Sequence, residues 1–69
     1  MIKDNQVWEN KTKIVKFEKA NGKMHGVIFK IKTSGLRFEN ILSFANFSTV
    51  EKFLKKSRMH LTDKVLTIE

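Results

Sequence analysis

Residues 11–37 read KTKIVKFEKANGKMHGVIFKIKTSGLR, and the way this stretch pairs with itself decides the fold. Asn21-Gly22 lies between two runs rich in apolar residues, one over residues 14–17 and one over 27–31. Asn-Gly is the favoured two-residue type I′ hairpin loop, because both central positions take positive φ. A loop there sets Ala20 against Lys23, Phe17 against Gly26, Val15 against Ile28 and Lys13 against Lys30. Ser34-Gly35 reads as a second turn, setting Thr33 against Leu36, Ile31 against Phe38 and Val27 against Leu42.

Side chains alternate faces along a strand, so each register assigns every residue to a side. The two turns together collect Ile14, Val27, Phe29, Ile31, Leu36, Phe38 and Leu42 on one face. The other face collects Lys11, Lys13, Lys19, Lys30, Lys32 and Arg37, with Val15, Phe17, Met24, Ile28, Glu39 and Ile41 among them. Gly26, opposite Phe17, marks a bulge or leaves room for that ring.

Downstream, Ser48 with Glu51 three residues later fits a capping box at a helix start. Val50, Phe53, Leu54 and Ser57 follow at helical spacing and give a narrow stripe that needs an apolar surface. Lys52, Lys55, Lys56 and Arg58 occupy the other sides, where solvent and the helix dipole account for them. Lys64–Glu69 reads as a last short strand that extends an open sheet edge or pairs with another subunit. The expected fold is α+β in the order β-β-β-α-β. It is a three-stranded antiparallel meander with one helix packed on its apolar face and a short C-terminal strand. Phe29, Ile31, Phe38, Phe53 and Leu54 are expected to form the core, with Phe44 and Phe47 sealing its end. Trp8 shares parity with Ile14, so an unbroken strand lays its indole over the same core.

The chain has 69 residues, a length for one domain, 1–69, with a thin stability margin. It has no cysteine, so neither a disulfide nor a thiolate metal site can reinforce that core, whereas a second copy of the chain can. Residues 11–37 hold eight basic groups and one acidic group, Glu18, while the remainder holds six of each. The whole formal charge of +7 therefore belongs to the hairpins. No apolar run reaches membrane-spanning length, and no secretory leader pattern is present, so a cytoplasmic protein is expected.

Neither histidine, His25 or His60, has a companion at metal-ligand or catalytic spacing. The three glycines match no phosphate-binding loop. A binding protein without cofactor or metal is therefore expected, not an enzyme. Its basic face offers Lys11, Lys13, Lys19, Lys30, Lys32 and Arg37 to the phosphates of DNA or RNA, with Phe17 as a stacking platform for an unpaired base. Twelve of the fourteen basic residues are lysine, which favours phosphate contact over base reading. The alternative is a small phage or mobile-element regulator that binds an acidic site on a host protein.

Overall fold

A computed structural model describes residues 3–66. The fold is α+β: strands β1 (Val7–Glu9), β2 (Lys13–Ala20), β3 (Lys23–Lys32) and β4 (Gly35–Phe44), helix α1 (Phe47–Lys56) and strand β5 (His60–Thr62). The strands form one five-stranded sheet in the order β4-β3-β2-β1-β5, antiparallel at every junction. It has one strand more than the expected β-β-β-α-β order, β1 ahead of the meander. No helix among the described residues is long and apolar enough to cross a membrane.

The first hairpin forms as its turn chemistry dictates. Asn21 and Gly22 both have positive φ, 53° and 75°, and Lys13↔Lys30, Val15↔Ile28, Phe17↔Gly26 and Ala20↔Lys23 are all in register. The second hairpin differs. Its loop is Thr33-Ser34, so Lys32 pairs with Gly35, Ile31 with Leu36 and Phe29 with Phe38. This register brings two aromatic rings edge to face, with centroids 6.1 Å apart and planes at 73°, a favoured cross-strand pair.

Glu39 is then a bulge: Phe29 pairs with Phe38, but Ile28 pairs with Asn40. One extra residue in one strand reverses the side on which every later side chain emerges. Leu42 and Phe44 consequently join Val15, Phe17 and Ile28, while Ile41 moves to the side of Val27 and Phe29. Because β4 delivers Phe44 to the first of these sides, the chain enters α1 there.

The helix therefore packs on the face opposite to the one expected. Its stripe of Val50 and Leu54 closes over Val15, Phe17, Ile28 and Phe44, with Trp8, Met24, Leu42, Phe53 and Met59 around them. Phe44 is central, 6.0 Å from Phe17 and 5.5 Å from Phe53 between ring centroids. Gly26 makes this possible, since a Cβ there would lie 3.1 Å from both the Phe44 ring and Val15 Cγ2. The room it leaves is chiefly for these two side chains, and not for Phe17 alone.

Of the expected core residues, Leu54 is buried and Phe53 half-buried, whereas Phe29 and Ile31 are half-buried on the other face and Phe38 is exposed. Trp8 does cover core, but on the helix side. Asn10 turns the chain between β1 and β2, its Oδ1 accepting from the backbone N–H groups of Thr12 and Lys13, and Trp8 then pairs with Val15. The final strand lies earlier than expected and pairs with β1. Residues 63–66 are in no strand, and the rest of the expected Lys64–Glu69 strand, residues 67–69, lies outside the described residues.

Helix α1 starts two residues before the Ser48 cap position. Asn46 is the N-cap, with Oδ1 accepting from Thr49 N–H at 3.0 Å and Thr49 Oγ–H at 2.8 Å. Asparagine and serine cap about equally well, so two competing signals stood two residues apart and the first prevailed. Asn46→Ala is expected to cost about 1 kcal/mol, and Ser48→Ala to be nearly silent. Urea midpoints of the two variants measure the difference directly.

Candidate functional site

The registers place the cations of the sheet. Lys30 on β3 pairs with Lys13 on β2 and with Arg37 on β4, so the three form a row across strands about 4.8 Å apart. Strand parity puts the row on the face that carries the helix, one step beyond the apolar rows that α1 covers. Lys32 follows Lys30 on the same side, and Lys30, Lys32 and Arg37 are all exposed. Among the described residues Glu39 supplies the one carboxylate in contact, its Oε1 3.0 Å from Lys13 Nζ with both side chains well solvated.

Lys11 adjoins this group from the β1–β2 turn. Asn10 fixes that turn and also ties it to the helix, donating from Nδ2 to the Ser57 carbonyl at 2.8 Å. The C-terminal end of α1 is thereby docked beside Lys11, and a shallow cleft runs between them, lined by Lys11, Thr12, Arg58 and His60 among others. The helix closes with a Schellman arrangement, in which Met59 N–H donates to the Leu54 carbonyl and Arg58 N–H to that of Lys55. This requires Arg58 at φ 54°, the left-handed position that glycine usually fills.

The structure thus divides the residues expected to bind. Lys11, Lys13, Lys30, Lys32 and Arg37 gather at one end of the helix-bearing face. Lys19 stands six residues from Lys13 along β2, about 20 Å away at 3.3 Å per residue, beside a different cleft near the hairpin tip with Lys3, Lys23 and Met24. Phe17 is fully buried, with no exposed surface, so no base can stack on it. Its place in the expected site is corrected: the helix lies over the ring because the bulge turned the core to that side.

Arg58 is the residue that the sequence reading passed over. It sat in a run of helix cations explained by the dipole, and only the contact of Asn10 with Ser57, 47 residues away in sequence, reveals that the helix end lies beside Lys11 of the β1–β2 turn. The signal available in sequence was the lack of a glycine after Lys56, which leaves a bulky residue to close the helix. No family model, curated protein or solved structure matches the chain.

Proposed function

We propose that this protein binds nucleic acid, DNA or RNA, through the phosphate backbone, using Lys11, Lys13, Lys30, Lys32, Arg37 and Arg58. The observation that carries the reading is the transverse row of Lys13, Lys30 and Arg37. Like charges directly opposite one another in a sheet are destabilising, and one exposed partner such as Glu39 offsets little of that. A polyanion relieves the repulsion, and its binding releases counterions. Mobile lysine ammonium groups suit phosphates better than base edges, so little sequence preference is expected.

The direct test is binding to random single-stranded oligonucleotides across a salt series. If roughly five phosphates are neutralised, log K falls against log salt with a slope near −3.5. No binding at moderate salt removes this reading and leaves an acidic protein surface as the ligand class.

Arg58 gives a second, sharper test. Arg58→Gly relaxes the left-handed backbone and is expected to raise stability by about 1 kcal/mol. The same change removes one contact and makes the salt slope shallower by about 0.7. Higher stability with weaker binding, measured on one purified variant, separates a positioned ligand contact from a mere helix terminator.

A further inference from the structure

The face without the helix carries a continuous apolar strip along β3 and β4. It is built from three cross-strand pairs, Val27 with Ile41, Phe29 with Phe38 and Ile31 with Leu36. Its β4 side is open to solvent: Leu36 is 45% exposed, and Phe38 and Ile41 are each 55% exposed. A strip of this kind, contiguous and aromatic, marks an interaction surface more often than scattered apolar residues do.

The charges on this face identify what covers it. Lys16 Nζ lies 3.4 Å from Glu18 Oε1, and Lys64 Nζ lies 2.9 Å from Glu9 Oε2. Each pair is neutral in itself, and Lys23, which strand parity also assigns here, stands away at the hairpin tip and lines the cleft with Lys19. The remaining sheet cations, Lys13, Lys19, Lys30, Lys32 and Arg37, belong to the opposite side. The apolar face is therefore close to neutral on a molecule of formal charge +7. It has no field with which to attract an acidic partner and none with which to repel its own copy.

We propose that this face is a homodimer interface, in which two copies pack sheet against sheet through Leu36, Phe38 and Ile41 about a two-fold axis. Packed sheets lie about 10 Å apart, so the outward cation rows of the two copies are separated by about 20 Å once the side chains are included. That exceeds the Debye length of about 8 Å at physiological ionic strength. The +7 of each copy is thus screened from the other. The strip spans only two strands, which places the contact at the small end of specific interfaces and the dissociation constant in the micromolar range.

Sedimentation equilibrium on the full chain tests this over roughly 5–500 μM, a range that brackets micromolar affinity. The expected result is a monomer–dimer equilibrium that tightens between about 0.15 M and about 1 M NaCl, as the residual repulsion is screened and apolar contact is kept. Phe38→Glu and Ile41→Glu should each weaken the dimer at least about tenfold, the effect of stranding a carboxylate in an apolar contact, although each lowers the repulsive net charge. Leu61→Glu is the control, because Leu61 is 51% exposed but lies on the helix side at the far edge of the sheet. It should leave the equilibrium unchanged. Thermal melts establish that each variant folds, and Phe38→Ser with Ile41→Ser replace any glutamate variant that does not. A monomer at every concentration and salt overturns the inference and leaves the face to a chain of different sequence. A dimer indifferent to Phe38 and Ile41, or equally sensitive to Leu61, overturns it as well.

Discussion

Phe17→Ala is expected to remove a large share of the protein's folding stability. The ring has no exposed surface and lies against Phe44 in the cluster beneath α1. Truncating a buried phenylalanine costs about 3–5 kcal/mol, against a total stability of roughly 3–10 kcal/mol for a chain of this length. Phe38→Ala should cost less than about 1 kcal/mol, since the ring is 55% exposed and loses only part of one edge-to-face contact. Urea denaturation followed by circular dichroism measures both. The ordering is the decisive quantity: a larger loss at Phe38 than at Phe17 would place the helix on the other face of the sheet.

The second large effect is on binding. Replacing Lys13, Lys30 and Arg37 together with glutamine removes three phosphate contacts. The salt slope should flatten by about 2, with affinity falling about 50-fold at physiological salt. All sequences should weaken about equally, because phosphate contacts carry no base information. Stability should hold or rise by a few tenths of a kcal/mol, since three neighbouring like charges are removed from adjacent strands. Loss of function without loss of stability is what a ligand site predicts and what a structural role does not. The control replaces Lys52, Lys55 and Lys56 on α1. If that variant loses binding while the sheet variant keeps it, the interface lies along the helix.

Local chemistry was legible in the sequence and its sum was not. Asn21-Gly22 gave the first hairpin in its true register, because a type I′ loop leaves no freedom in how its strands meet. The shared face of Ile14, Val27, Phe29, Ile31, Leu36 and Phe38 was also readable, since shifting the second turn by one position at each arm preserves parity. Glu39 was not readable. A bulge in an alternating strand has no compositional marker when a charged residue sits beside Asn40 and Ile41. Everything after it then fell on the wrong side, including the choice of core face and with it the role given to Phe17. The cation row survived this error because its members precede the bulge.

The bulge also sets how the gene can drift. Adding two residues within the Thr33-Ser34 loop leaves Lys32 opposite Gly35 and each side chain on its own side. Losing the single codon for Glu39 is equally mild: Phe38 stays opposite Phe29 and Asn40 opposite Ile28, now in regular alternation, so Leu42 and Phe44 remain under the helix. Gaining a codon between Asn40 and Ile41 does something else. It would turn Leu42 and Phe44 outward and present Ile41 and Ser43 to the helix, exchanging inside for outside in the last third of the strand. Descendants of this chain should shorten at Glu39 far more readily than they lengthen beyond Asn40.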